Sequence, residues 1–288
     1  MSGPDLKAID SHFEFGENWL DYASKVTQRH LDYAIQCMQR LLSVEDLSGR
    51  SLLDVGCGSG IHSVAAAKLG ASVSSLDLDP NCLAATKSLA DKFGVADCIE
   101  IQEKSVFELS PDADGCYDYV YSWGVLHHTG AMWDAIIAAA SCVQNDGMIA
   151  LALYRKTKLC RFWNHEKRAY SSMPRFIQWP IQLAYGGIYL AAQCLVLGKG
   201  PKSMREESLN ARGMNWWHDV HDWLGGFPYE SARPSEVKSF MHDSGFKLIQ
   251  GFHDEDFISR GLLGSGCAEY LFKRSASGQS GLKQQVSE

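Results

Sequence analysis

Leu53-Asp54-Val55-Gly56-Cys57-Gly58-Ser59-Gly60 closes a short apolar run, Ser51 to Val55, and leads directly into the helix-forming stretch Ile61 to Leu69. Strand, glycine-rich turn and helix in that order make a loop whose backbone can turn tightly and let a ligand approach the main chain. The helix start then offers unpaired N–H groups to a carboxylate or phosphate. Two features narrow the ligand. The dinucleotide fingerprint G-x-G-x-x-G requires glycine where Ile61 stands. Asp54, two residues before the first glycine, repels a pyrophosphate but suits a cationic ligand bearing an ammonium group.

The next marker is Asp77, at the end of a second apolar run, Val73 to Asp77, and seventeen residues after Gly60. A carboxylate there can accept both hydroxyls of a ribose in a doubly wound fold. Together, the loop and Asp77 call for a ribose and a positively charged amino-acid portion without phosphate. S-adenosylmethionine meets that description.

Further out, short apolar runs alternate with helix-length segments, the mark of βαβ units around a parallel sheet. After the first two strands come Cys98 to Gln102, Tyr117 to Ser122 and Met148 to Tyr154, with helices between. Trp19 to Leu42 reads as one amphipathic helical arm. Ser235 to Ser244 reads as a helix closed by Gly245, followed by strands at Lys247 to Phe252 and Glu269 to Lys273. This gives an N-terminal arm (1–50), a cofactor-binding core (51–154), a helical lid insertion (155–234), a C-terminal completion of the sheet (235–274) and a Ser/Gly/Gln-rich, disordered tail (275–288).

Asp54 to Gly60, Asp77 and the stretch Tyr117-Asp118-Tyr119-Val120-Tyr121-Ser122-Trp123-Gly124-Val125-Leu126-His127-His128 resemble the motifs of class I S-adenosylmethionine-dependent methyltransferases. Within that superfamily the pattern is similar to the small-molecule branch that includes the ubiquinone-pathway O-methylases. The likeness runs from about Leu52 to Leu153 and says much about cofactor and fold, little about substrate. It implies an α/β, doubly wound, Rossmann-like sheet of seven strands with the last antiparallel, and a cofactor across the carboxyl ends of the first, second and fourth. Carried over by position, Gly56, Cys57, Gly58 and Gly60 would line the methionine portion and Asp54 would support its amino group. Asp77 would hold the ribose and Leu78 would pack on the adenine. Ser105 and Val106 stand where the family has an acidic or amide residue near the adenine amine, a departure that leaves this contact open. Ser122 and Trp123 would border the cofactor, and Phe15 and Trp19 resemble aromatic residues that cover it.

Methyl transfer from a sulfonium is an in-line displacement, so alignment in a dry site does most of the work, and a base is needed only if the acceptor must lose a proton. His127 and His128 are candidates, since histidine titrates in the useful range; the alternative is that they bridge strand and helix by hydrogen bonds. In Trp216-Trp217-His218-Asp219-Val220-His221-Asp222-Trp223, His218 and His221 share a helix face. They could supply a base or a metal site, or be oriented by the aspartates within a lid helix; no resident metal is expected. Tyr229, Glu230 and Arg233 are pocket candidates on position alone.

Composition bounds the rest. The chain has 288 residues, 45% hydrophobic and 21% charged, with net charge −7, an ordinary globular balance that opposes broad grip on nucleic-acid phosphates. The fourth-strand region also lacks an NPPY-type or Pro-Cys motif. Nine scattered cysteines, none within a CxxC, argue against a zinc cluster or a disulfide framework. Residues 1–10 lack a basic segment followed by an apolar run, so the expectation is a cytoplasmic protein. The lid stretch defies the average. From Arg155 to Arg175 only Glu166 opposes seven basic residues, and five of the eight tryptophans lie in the insertion. An interrupted apolar segment, 176–198, follows. Basic then apolar suits weak contact with an anionic membrane surface through 155–198, attraction of an acidic substrate, or a solvated face beside a lid helix. The expected reaction is methylation of a small-molecule acceptor, foremost O-methylation of an aromatic or lipid-like hydroxyl. N- or C-methylation and a non-catalytic S-adenosylmethionine-binding scaffold are the alternatives.

Overall fold

The computed structural model describes residues 16–198, 200, 203, 216–252 and 266–275. Its centre is one seven-stranded sheet: β1 (Ser51–Val55), β2 (Ser72–Asp77), β3 (Ile99–Glu103), β4 (Tyr117–Trp123), β5 (Val143–Tyr154), β6 (Phe246–Phe252) and β7 (Cys267–Arg274), in the order β3-β2-β1-β4-β5-β7-β6. The first five strands run parallel, and β7 is antiparallel to both β5 and β6. The strand order reverses beside β1, so the chain leaves β1 at the crevice where open α/β sheets bind ligands.

Strand periodicity assigns the core. Leu52, Val73, Tyr119, Tyr121, Ala150 and Leu271 face one side, while Leu53, Leu76, Val120, Ile149, Leu151 and Phe272 face the other. The first face is covered by α1 (Gly16–Lys25), α2 (Gln28–Leu42), α3 (Ile61–Lys68) and α4 (Pro80–Lys92), the second by α6 (Met132–Ser141) and α10 (Pro234–Asp243), with the short α5 (Pro111–Asp114) between β3 and β4. With both faces covered, the central β5 carries a continuous apolar run at Met148–Leu153, whereas the edge strand β3 alternates isoleucine with polar residues.

The helical arm consists of two helices, α1 and α2. The break falls at Val26-Thr27, where Thr27 takes extended angles (φ −113°, ψ 170°) and its backbone N–H donates to His30 Nδ1 at 3.0 Å, a capping box with histidine in place of the usual Glu or Gln. The turn also buries Val26 and lets Leu31, Met38 and Leu41 join the same core as the sheet. Strand β5 starts at Val143, earlier than the expected Met148, because Val143 already pairs with Tyr117 ahead of a register shift.

The insertion forms α7 (Cys160–Ser171), α8 (Arg175–Leu197) and α9 (Trp216–Gly225), packed around a small core of their own, Tyr170, Val220 and Leu224. Both ends are pinned to β5. Arg155 and Ala232 form an isolated parallel bridge, with Ala232 N–H donating to Tyr154 C=O and Lys156 N–H to Ala232 C=O, each at 3.0 Å. Among the described residues no helix is long and apolar enough to cross a membrane, and no three His, Cys, Asp or Glu cluster as metal ligands. Phe15 and residues 276–288 of the expected tail lie outside the described residues.

Candidate functional site

Gly56, Gly58 and Gly60 all have left-handed backbone angles (φ 75°, 55° and 78°), which turn the chain sharply between β1 and α3. Two of them are also closely enclosed. A Cβ on Gly56 would lie 2.4 Å from Val125 Cγ1, and one on Gly60 would lie 2.6 Å from Thr86 Cα. The loop is tied to the neighbouring strand, since Gly56 and Cys57 N–H both donate to Leu76 C=O at 2.8 and 3.0 Å. Above Gly58 lies Trp19 of α1, whose indole comes within 3.3 Å of where a Cβ would stand. An aromatic ring from the arm therefore rests on the glycine turn.

Two carboxylates point into this turn. Asp77 Oδ2 accepts Gly58 N–H and its Oδ1 accepts Asp79 N–H, each at 3.0 Å. Asp54 is buried and accepts the Ser63 hydroxyl, which in turn accepts that of Ser75 at 2.8 Å. Burial, together with the negative charge of Asp77, lifts the Asp54 carboxyl to about 7, against the pull of the Ser63 hydrogen bond. Burial also raises Asp77, opposed by the N–H groups it accepts. Among the described residues neither carboxylate forms an ion pair with lysine or arginine. A turn with two neighbouring acids that no cation offsets favours a positively charged ligand and hydroxyl donors and disfavours phosphate. The residues thus fit a ligand with a ribose and an ammonium-sulfonium portion.

The other expected rim residues divide by environment. Cys57 is buried beside Thr86 Oγ1 (3.2 Å), and burial drives its thiol well above the ordinary range, so it stays protonated. Leu78 is half-buried. The Ser105 hydroxyl accepts Phe107 N–H at 3.3 Å and caps the turn after β3, while Val106 belongs to the apolar core with Leu53 and Leu76. Ser122 turns inward, donating to Val55 C=O at 2.9 Å and bracing the carboxyl ends of β4 and β1. The Trp123 indole donates to Glu269 Oε1 at 2.7 Å, and Glu269 also holds Arg40, so β4, β7 and α2 meet there. His62, at the start of α3, was not singled out from sequence. Its ring lies against Tyr121 and Trp123, and burial lowers it to about 4, so it is neutral.

Beyond the carboxyl end of β4, a second cluster sits under the lid. His127 is fully buried, with its ring 3.9 Å from that of Tyr154 and 4.4 Å from that of His128. Neither of its ring nitrogens has a hydrogen-bond partner among the described residues. Burial, with smaller contributions from His128 and Lys167, holds it well below the normal histidine range. His128 Nδ1 lies 2.7 Å from Pro228 C=O; a carbonyl only accepts, so Nδ1 carries a proton. The lid contributes Tyr229, whose ring is 5.5 Å from that of Tyr154, and the buried Lys167, which donates to Trp223 C=O and lies over the Tyr229 ring. Glu230 accepts Met132 N–H at 2.9 Å and so caps α6.

Cys160 is another residue that sequence spacing did not mark. Burial raises its thiol, but hydrogen bonding with Ser231, Thr157 and Tyr229 outweighs this and leaves it below the usual value. His221 and His218 part ways: His221 Nδ1 lies 2.7 Å from the Tyr170 hydroxyl inside the lid core, whereas the His218 side chain lies outside the described residues.

Residues 53–151, the span that holds the strands and loop of the two-carboxylate turn, match the family model for a methyltransferase domain. The chain is 50% identical over 66 residues to ribosomal protein L11 methyltransferase of Vibrio parahaemolyticus (23% of this chain, 22% of that protein) and 44% identical over 66 residues to its Escherichia coli counterpart (again 23% and 22%). It thus spans about a fifth of the length of these curated relatives. Among solved structures, magnesium protoporphyrin IX methyltransferase from Synechocystis PCC 6803 with bound S-adenosylmethionine superposes with a TM-score of 0.54 at 14% identity, covering 96% of this chain and 100% of that one. The fold is shared.

Proposed function

We propose that this chain, with its methyltransferase domain at 53–151, uses S-adenosylmethionine to methylate a small-molecule acceptor, foremost an aromatic or lipid-like hydroxyl. The single observation carrying this reading is the glycine turn with two carboxylates that form no ion pair among the described residues, the buried Asp54 and the half-buried Asp77, the latter fixed by Gly58 N–H. Asp77 accepts the ribose hydroxyls, Asp54 supports the amino group, Gly56, Cys57, Gly58 and Gly60 line the methionine portion, and Trp19 covers it. Leu78 and the Ser105–Val106 turn border the base. When bound, the cofactor supplies a methyl group on a positively charged sulfur, open to in-line displacement.

The chain's own residues supply alignment and dryness. Trp19 of the arm excludes water over Gly58, and His128, in the cluster beyond β4, accepts the proton that a hydroxyl acceptor sheds as it is methylated. His127, held neutral by burial, packs beside His128 and Tyr154 and fixes the ring that does so. The resemblance of the motif stretch 117–128 to small-molecule O-methylases supports oxygen as the target.

The test is to incubate the chain with methyl-labelled S-adenosylmethionine and a fractionated metabolite extract, and to identify what acquires the label. A labelled small molecule that disappears with Asp77→Ala supports the proposal. Cofactor binding with no labelled product in any fraction would instead favour a non-catalytic scaffold, and label found only in protein would move the acceptor class.

A further inference from the structure

Helix α8 carries its polarity inside out. Three of its hydrogen-bonding side chains turn inward: Gln178 is buried and donates to Tyr170 C=O at 2.9 Å, and the Tyr185 and Tyr189 rings pack against Trp163 and Trp223. Hydrocarbon turns outward, with Phe176 78% exposed, Trp179 64%, Ile188 68% and Leu195 87%. Phe176, Trp179 and Leu183 follow helical i, i+3, i+7 spacing, so they share one face, and no charged residue occurs from Phe176 to Gly198. A surface helix of a globular protein has the opposite arrangement.

The neighbouring helix supplies charge of one sign. On α7, Arg161 and Arg168 are exposed at i, i+7 spacing, next to Phe162 at 57% exposure, and Arg175 opens α8. Glu166, the sole acid between 155 and 175, is turned inward, with one carboxylate oxygen buried. The exposed faces of α7 and α8 therefore present cations beside an unbroken apolar strip.

That pairing selects the occupant. A second copy seated symmetrically would bring the same cations together, an unfavourable pairing. An anionic bilayer surface takes the hydrocarbon at the acyl boundary and the guanidinium groups among its headgroups. Since no described helix is long and apolar enough to cross a membrane, the contact is with the surface. We propose that the exposed faces of α7 and α8 form a membrane-surface contact that seats the protein on anionic lipid, independently of whether the chain transfers methyl groups.

Sedimentation of the full chain with phosphatidylcholine vesicles, with and without phosphatidylglycerol, tests this. The expected result is co-sedimentation with the mixed vesicles, little with phosphatidylcholine alone, and release as salt rises. Trp179→Glu combined with Phe176→Glu should lower partitioning more than tenfold, as should Arg161→Glu combined with Arg168→Glu, while S-adenosylmethionine affinity stays unchanged as a check on folding. If a variant misfolds, quenching of the native chain's tryptophan fluorescence by brominated phosphatidylglycerol provides the second measurement, and absence of quenching overturns the proposal. No sedimentation, equal binding to both vesicle types, or a concentration-dependent dimer that Trp179→Glu dissolves would each overturn it as well.

Discussion

The backbone N–H of Gly58 donates to Asp77 Oδ2 at 3.0 Å, locking the turn after β1 to the end of β2. One carboxylate thus shapes the loop with one oxygen and, through Asp79 N–H, the start of α4 with the other. Asp77→Asn keeps the size but removes the charge that ribose hydroxyls would meet. Charge-assisted hydrogen bonds contribute about 1.5–3 kcal/mol, so S-adenosylmethionine affinity should fall roughly 10- to 100-fold. Calorimetric titration checks it; equal affinity in the variant would remove Asp77 from the binding site.

The enclosed glycines predict unequal responses to alanine. Gly60→Ala combines a left-handed backbone with a Cβ driven into the Thr86 main chain, and should cost about 2–4 kcal/mol in urea unfolding. Gly56→Ala meets only the Val125 side chain, so adding Val125→Ala should recover part of its loss. No recovery from Val125→Ala would mean that backbone strain alone sets the cost at Gly56.

Cofactor binding should depend on pH through Asp54. Its carboxyl sits at about 7 in the unliganded fold, and an ammonium group favours the ionised form, so binding below that value expels a proton. Affinity should rise as pH rises from 5.5 to about 7, then level off, and the binding enthalpy should vary with the buffer's ionisation heat. Asp54→Asn should flatten the profile; a slope that survives it would place the titrating group elsewhere. The same shift works against the empty protein, which holds the Asp54 proton more tightly folded than unfolded. That contribution is full below about 3.8 and is lost as pH rises through about 7.

His127 acts on stability in the opposite sense. Its folded value lies well below 6.5, so the unfolded chain binds the proton more readily, and stability is lost as pH falls below about 6.5. His127→Phe should remove this acid-side loss at little cost near neutrality, since neither ring nitrogen has a partner among the described residues. Urea unfolding at a series of pH values measures it. An unchanged acid slope would assign that loss to other groups.

Local signals made much of the fold legible. Strand β1 spans Ser51–Val55, the bounds its apolar run suggests, and the order of βα units leads to the sheet seen. Asp54 and Asp77 could be singled out because each lies at a fixed distance from the glycines. What stayed hidden depends on pairs distant in the chain or on unusual chemistry. Nothing near Trp123 announces Glu269, 146 residues later, and the Thr27 cap uses His30 where a glutamate would be the familiar sign. The Ser122 hydroxyl bonds a carbonyl on another strand, a choice fixed by the register of β4 against β1. His62 gave no spacing clue because its partners, Tyr121 and Trp123, reach it only after the sheet has formed.

The bridge between Arg155 and Ala232 brings the entrance and exit of the lid side by side at the carboxyl end of β5. The excursion is therefore a closed side loop, and its length and contents can change without shifting the register of any strand. Inheritance can redraw what the protein touches while leaving the sheet's chemistry alone, and an engineer could graft a different cap at the same two residues.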